Sequence, residues 1–342
     1  MPKVLLTGGA GYIGTHIACV LTQMGRRCVS IDNYCNSSPR ALGRVARIAP
    51  GMVDAYECDT RDAKKLAQIL NGEDIDSVIH LAGLKAVGES VLEPQRYRDN
   101  NVGGTAALLE ALAGTKIRRL VFSSSATVYG AEAPIPYRES MTTAPTNPYG
   151  ENKLEIERML SGLARRDSSW RVASLRYFNP VGAHESGLIG EDPPGLPNNL
   201  MPYLCQAAAG KREALRIFGN DYPTRDGTGV RDYIHVMDLA EGHVAALRAL
   251  ESSEPGTALT LNLGTGRGYS VLEVVDTFER VNAVAVPREF APRRPGDSAE
   301  YYADATLAAR LLRWQAKRDL EAMCRDAWRW QSMNPSGYGR GD

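Results

Sequence analysis

The chain carries no net charge: 40 Lys and Arg offset 40 Asp and Glu across 342 residues. A neutral chain has no basic field with which to gather nucleic acid or an anionic membrane as its main partner. No apolar run approaches the ~20 residues that a membrane-spanning helix needs, and no signal-peptide pattern is expected ahead of the first strand. The six cysteines (Cys19, Cys28, Cys35, Cys58, Cys205 and Cys324) form no Cys-x-x-Cys or His-paired spacing. No metal site is expected from them, and reduced thiols in a cytoplasmic protein are the simplest reading. No internal repeat is visible. The terminal Arg340-Gly341-Asp342 can act as an adhesion signal in extracellular proteins, but in a Gly-rich tail it reads as a frayed end.

What is present begins at the N-terminus. Residues 3–7 (KVLLT) read as a short buried parallel strand. The strand runs into Gly8-Gly9-Ala10-Gly11-Tyr12-Ile13-Gly14 and then into a helix. Ile13, Ile17, Val20, Leu21 and Met24 form the apolar stripe of that helix, which stops at Gly25. A second strand, residues 27–31, ends in Asp32. Strand, glycine turn, helix, strand and acid together form the context of a dinucleotide site. Gly8 permits the tight turn, Gly11 lets a pyrophosphate approach the backbone, and Gly14 lets the helix pack on the sheet. The helix N-terminus offers unpaired N–H donors to the phosphates. Asp32 is placed to accept both ribose hydroxyls and would repel a 2′-phosphate, which favours NAD over NADP.

Further strands are expected at residues 77–83, 120–125 and 173–178, with helices over 102–113 and 153–165 between them. Alternation of this kind predicts an α/β fold with a Rossmann-like, doubly wound parallel sheet and ligands at the strand C-termini. His80, inside one such strand, reads as a packing or locally hydrogen-bonded residue. Tyr149 and Lys153 are four apart, so a helix puts both on one face. An ammonium there, beside an oxidised nicotinamide, would stabilise a tyrosinate. Bringing a tyrosine pKa from about 10 to about 7 takes roughly 4 kcal/mol. Such a phenolate can take a proton from an alcohol as hydride leaves for a cofactor.

With the glycine turn, Ser123-Ser124-Ser125 and Tyr-x-x-x-Lys in this order, the chain resembles the extended short-chain dehydrogenase/reductase superfamily. Its longer strings, at residues 80–90, 123–130, 175–183 and 227–236, are similar to those of the UDP-glucose 4-epimerase family, and the resemblance runs to about Trp330. It implies redox-neutral inversion at C4 of UDP-glucose and UDP-galactose through a transient 4-keto sugar, with NAD retained between turnovers. Tyr149, Ser125 and Lys153 would be the catalytic residues. Ser125 is chosen over its two neighbours because it directly precedes the Ala-Thr-Val-Tyr string. Around the cofactor the resemblance places Gly8, Gly11, Tyr12, Ile13, Gly14, Asp32, Asn33, Asp59, Leu81, Ala82, Gly83, Lys85, Asn100, Ser123, Tyr177 and Phe178, with Tyr149 and Lys153. Around the UDP-hexose it places Lys85, Ser125, Thr127, Asn179, Asn199, Leu200, Phe218, Arg231, Tyr233, Arg294, Asp297 and Tyr301. Two arginines on one diphosphate supply charge-assisted grip.

The expected organisation is an NAD-binding domain over residues 1–178, with 232–263 returning to it. A smaller C-terminal α/β domain from 179–231 and 264–342 would bind the UDP-sugar. The Pro/Gly-rich stretch 187–202 reads as an ordered substrate loop. By resemblance the chain is a homodimer, paired through regions 94–114 and 149–165. Dehydratases of the same fold carry an Asp-Glu pair after the catalytic hydroxyl, where this chain has Ala126-Thr127, which argues against dehydration. A non-enzymatic NAD-binding regulator usually loses the tyrosine or the lysine, and both are intact here. Tyr301 falls where the family places a size gate, which predicts poor turnover of N-acetylated sugars; Tyr302 adjoins it. Residues 281–286 depart from the family, which commonly has a Gly-Lys-Pro type turn there.

Overall fold

The computed structural model describes residues 2–130, 133–294 and 296–339. The terminal Arg-Gly-Asp lies outside the described residues. In chain order the first half comprises β1 (Lys3–Thr7), α1 (Tyr12–Gln23), β2 (Cys28–Asp32), α2 (Pro39–Ile48), β3 (Val53–Glu57), α3 (Ala63–Gly72), β4 (Ile75–His80), α4 (Val87–Leu92), α5 (Pro94–Arg98), α6 (Gly104–Ala113), β5 (Arg119–Ser125), α7 (Pro148–Arg166) and β6 (Arg171–Tyr177). There follow β7 (Asn179–Val181), α8 (Leu200–Ala208), β8 (Leu215–Phe218), β9 (Val230–His235), α9 (Val236–Glu251), β10 (Ala258–Leu263), β11 (Gly268–Ser270), α10 (Val271–Asn282), β12 (Arg288–Ala291), β13 (Glu300–Tyr301), α11 (Thr306–Leu312) and α12 (Leu320–Met333).

Seven parallel strands form the large sheet in the order β10-β6-β5-β4-β1-β2-β3. The period-2 alternation of a strand divides its residues between two cores. Val4 and Leu6 enter one core with α1 and α9, while Leu5 enters the other with α3, α6 and α7. Each fully buried Leu or Phe contributes roughly 1.5–3 kcal/mol relative to exposure. The strand order reverses between β1 and β4, which opens the crevice where such sheets bind ligands.

Chain elements after β6 build a second region. A smaller sheet runs β11-β9-β13, with β7 also on β9, and β12 pairs with β8 in a separate ribbon. Their apolar sides close a third core with α8, α10 and α12. Two readings of the sequence need correcting. The return to the large sheet begins at α9, not at Asp232, because residues 232–235 belong to β9 and hydrogen-bond within the smaller sheet. Met24 is not part of the buried stripe of α1: it is the C-cap and is 51 % exposed. That helix is buried nearly all round over residues 14–22, since the sheet lies on one side and α9 on another. Among the described residues no helix is long and apolar enough to cross a membrane.

Candidate active site

The glycine turn lies against the loop leaving β4. A β-carbon on Gly8 (φ 69°) would come within 2.9 Å of the Ala82 nitrogen, and one on Gly14 within 2.5 Å of the Gly8 carbonyl. Neither position tolerates a side chain. Gly11 is the N-cap of α1 and no side chain caps that helix, so its first N–H groups stay open to an anion. Thr7 ties the two loops: its hydroxyl accepts from the Leu81 and Ala82 N–H groups at 3.2 Å and contacts His80 Nδ1 at 2.6 Å. The other ring nitrogen of His80 meets the Thr105 hydroxyl at 2.9 Å. Both ring nitrogens are thus spent locally, and burial draws the imidazole pKa down to about 3.

Asp32 ends β2 beside this turn, accepting from Ala10 N (3.0 Å), Tyr34 N (2.9 Å) and Ser37 Oγ (2.9 Å). Asn33 donates to Asp59 at 2.8 Å, and Arg61 beside Asp59 holds that carboxyl well below the usual range. Asn100 donates to Asn101, whose amide clamps both the N–H and the carbonyl of Leu84. Tyr12 reaches from α1 to the Gly182 carbonyl at 2.7 Å, while Ile13 packs against the core of the α1 face. The residues fit a dinucleotide: an open helix N-terminus behind a glycine turn, an acid at the next strand end, and a buried lysine on the far side.

That lysine sits on α7, which starts with Asn147 capping the Gly150 N–H at 2.9 Å and Pro148 in its first turn. Tyr149, Lys153 and Glu157 follow at intervals of four along its buried face. Lys153 Nζ donates to the Ser123 carbonyl at 2.7 Å and lies 5.7 Å from the centre of the Tyr149 ring. Burial draws Lys153 down to about 8, against the opposing charge of Glu157.

The three serines have separate duties. Ser123 Oγ meets His243 Nε2 at 2.7 Å, and Ser124 Oγ donates to Glu157 at 2.6 Å. Ser125 Oγ accepts from Thr127 N (3.2 Å) and Thr127 Oγ1 (3.0 Å), and its hydroxyl faces Tyr149. The expected depressed tyrosine pKa is not a property of the chain alone. Burial pushes Tyr149 up to about 12 and only Ser125 pulls it back, so desolvation of the phenolate exceeds what the protein's own groups supply. Tyr177 and Phe178 close this side, and burial raises the Tyr177 phenol as well.

A second cluster lies between the smaller sheet and the β12–β8 ribbon. The Arg231 guanidinium stacks over the Tyr301 ring (4.6 Å) and Arg294 over Phe218 (4.8 Å). Both point at Asp297, at 4.0 Å and 3.0 Å respectively. The Tyr301 hydroxyl donates to Asn179 at 3.0 Å, and Tyr233 is buried on the neighbouring strand. Thr127 bridges toward the first cluster through Ser125. Lys85 and Asn199, which precedes Leu200 at the start of α8, both turn to Glu191.

The sequence profile of the NAD dependent epimerase/dehydratase family matches residues 4–264. A UDP-glucose 4-epimerase of Neisseria meningitidis serogroup C is 54 % identical over 339 residues, covering 99 % of each chain. The chain belongs to this family. Among solved UDP-glucose 4-epimerases, that of Stenotrophomonas maltophila with bound NAD and formylated UDP-arabinopyranose is similar at TM-score 0.95 and 48 % identity, covering 98 % of this chain and 100 % of that one. The Bifidobacterium longum epimerase in complex with NAD+ and UDP has TM-score 0.93 and 48 % identity, covering 98 % and 99 %.

Four residues around this epimerase site were not legible in the sequence. Asn101 pins the β4 loop, His243 holds Ser123, Glu157 holds Ser124 and pairs with Arg176 at 2.6 Å, and Glu191 holds Lys85 and Asn199. The i, i+4 spacing of Glu157 from Lys153 was the one available signal. The others contact the site only through long-range packing.

Proposed function

We infer that this protein inverts C4 of UDP-glucose and UDP-galactose, reversibly and without net redox change. The observation that carries the reading is the meeting of Tyr149, Ser125 and Lys153 at the C-terminal end of the parallel strands, the end that also presents the glycine turn. NAD would be held by the glycine turn, Asp32, Lys153 and the β4 loop, and when bound it would supply the acceptor and donor of the C4 hydride. Tyr149 takes the proton of the 4-hydroxyl and later gives it back. Ser125, its acceptor positions filled by Thr127, donates to the Tyr149 oxygen and so favours the phenolate that takes the proton. Lys153 places positive charge behind the tyrosine, which helps only while it is protonated. Arg231, Arg294 and Asn199 grip the UDP diphosphate, and Phe218, Tyr233, Asn179 and Asp297 line the nucleotide. Tight nucleotide contacts with few sugar contacts let the 4-keto sugar turn over and present its other face.

The region of 179–235 and 264–342 serves as the UDP-sugar domain in this reading, and α9 to β10 supports the cofactor sheet. We propose a homodimer through α5, α6 and α7, supported by the exposure of Val91 and Leu92 beside them (59 % and 82 %). Cytoplasmic placement rests on six cysteines without a disulfide among the described residues. The test is a coupled assay of the purified protein with UDP-galactose and no added NAD. Formation of UDP-glucose, lost by at least about 10²-fold in Tyr149→Phe, is expected. No conversion even with added NAD would overturn the reading.

A further inference from the structure

Glu191 is a carboxylate with no role in the chemistry above, yet it engages Asn199, read above as a diphosphate ligand, together with Lys85. One of its oxygens accepts from Lys85 Nζ at 3.1 Å and from Asn199 Nδ2 at 2.8 Å. Its side chain is only 9 % exposed, against 57 % for Lys85. The backbone that carries it is fixed. Trp330 Nε1 donates to the Glu191 carbonyl at 3.1 Å, the Tyr338 hydroxyl bonds both polar groups of Gly190, and Tyr338 N donates to Asp192 at 2.9 Å. The carboxylate is therefore the fixed partner, and the lysine and asparagine are the residues being held.

Asn199 would otherwise have another employment. It is the N-cap of α8, with the extended backbone (φ −93°, ψ 151°) that suits a capping residue, yet its side chain makes no cap hydrogen bond. Asn is among the best N-caps, and Asn147 performs that task on α7. An amide folded back onto α8 would be lost to a ligand and would cover the first N–H groups of the helix. The engagement with Glu191 prevents this.

Resting on the reading of Asn199 as a diphosphate ligand, we propose that Glu191 is a positioning residue that holds Asn199 off its helix cap, with Lys85 beside it, ready for UDP-sugar. The carboxylate touches neither the substrate nor the reacting carbon. What it supplies is an acceptor at a fixed place, so a neutral acceptor there should serve nearly as well, whereas no acceptor should not.

The experiment measures UDP binding to the NAD-loaded protein by calorimetry, together with thermal midpoints, for Glu191→Ala, Glu191→Gln and Asn199→Ala. Glu191→Ala is expected to weaken UDP about tenfold, the scale of one mispositioned hydrogen-bonding group, while the thermal midpoint holds or rises because Asn199 now caps α8. Glu191→Gln, which keeps the acceptor oxygen, should stay within about threefold of the parent. Unchanged or tighter UDP binding in Glu191→Ala overturns the proposal. So does equal weakening in both Glu191 variants, which would make charge the operative property, or a lowered midpoint in Glu191→Ala, which would make the role structural. Asn199→Ala separates the two levels. If it leaves UDP binding unchanged, the diphosphate reading itself fails; if it weakens binding while Glu191→Ala does not, only the role of Glu191 fails.

Discussion

Ser125 and Tyr149 face each other at the end of β5, and the serine is the sole group that draws the phenol's pKa downward against its burial. Because Thr127 occupies the acceptor side of Ser125 from two atoms, the serine proton is directed at the tyrosine oxygen. Replacing Ser125 with Ala should lower kcat by about 10²-fold, the scale of one lost oxyanion donor, with UDP affinity kept. Ser124→Ala should act on stability instead, costing about 1–3 kcal/mol by stripping a donor from buried Glu157. Steady-state kinetics and urea unfolding on the two variants distinguish these effects. A kcat loss in Ser124→Ala equal to that in Ser125→Ala would refute the division of labour.

Burial draws the Lys153 pKa down to about 8 in the cofactor-free protein. Burial disfavours its charged form, so the ammonium is present below that value and lost as pH rises through it. Fluorescence titration of NAD binding to the free protein should show affinity changing around pH 8. The change should vanish in Lys153→Met; its persistence there would assign the titration to another group.

Tyr301 ends β13 and Tyr302 follows it, and their rings meet different neighbours. Tyr301 stacks with Tyr137 (6.2 Å) and approaches Phe178 (6.0 Å) beside Asn179, whereas the Tyr302 ring lies next to Gly268. Tyr301→Cys should therefore gain turnover of UDP-N-acetylgalactosamine by at least about tenfold, the discrimination a steric pocket supplies. Tyr302→Cys should not. The reverse pattern in a substrate-competition assay would move the gate by one residue.

Three buried histidines make the fold acid-sensitive. Burial holds His16 and His80 near 3 and His243 near 4, against about 6.5 in an unfolded chain. A depressed histidine pKa contributes stability above pH 6.5 that is lost as pH falls toward the folded value. Each proton taken up only by the unfolded chain costs up to about 1.4 kcal/mol per pH unit, so three give a slope of up to about 4 kcal/mol per unit below pH 6. Urea midpoints at pH 7.5 and 5.5 check this. A flat profile would mean that the histidines are charged in the folded protein.

Ala283 ends α10 in the left-handed region at φ 51°, where a β-carbon is strained. This lies in the apolar stretch that departs from the Gly-Lys-Pro type turn of the family. Ala283→Gly should raise stability by about 0.5–1 kcal/mol, the relief of that strain net of the added freedom of the unfolded chain. A lowered unfolding midpoint would show that the methyl group's packing outweighs the strain.

The glycine turn, the acid after β2 and the Tyr-x-x-x-Lys face are legible in the linear sequence because each depends on local geometry: a tight turn, a strand length, one helical period. The alternation of strands and helices led to the parallel sheet for the same reason. Residues 232–235 were misplaced because a short strand reads the same whichever sheet it joins, and only pairing with β7, β11 and β13 assigns it. The pKa of Tyr149 in the cofactor-free chain is not legible in the sequence, because desolvation depends on what surrounds the side chain, which spacing does not reveal. By itself, then, the sequence determined the cofactor fold and the placing of Tyr149 and Lys153 on one helical face. The tertiary structure alone decided what engages Ser123 and Ser124, which neighbours the Tyr301 and Tyr302 rings meet, and that Glu191 meets Lys85 and Asn199. Those contacts span from 8 to more than 100 positions, and only packing brings such residues within hydrogen-bonding distance.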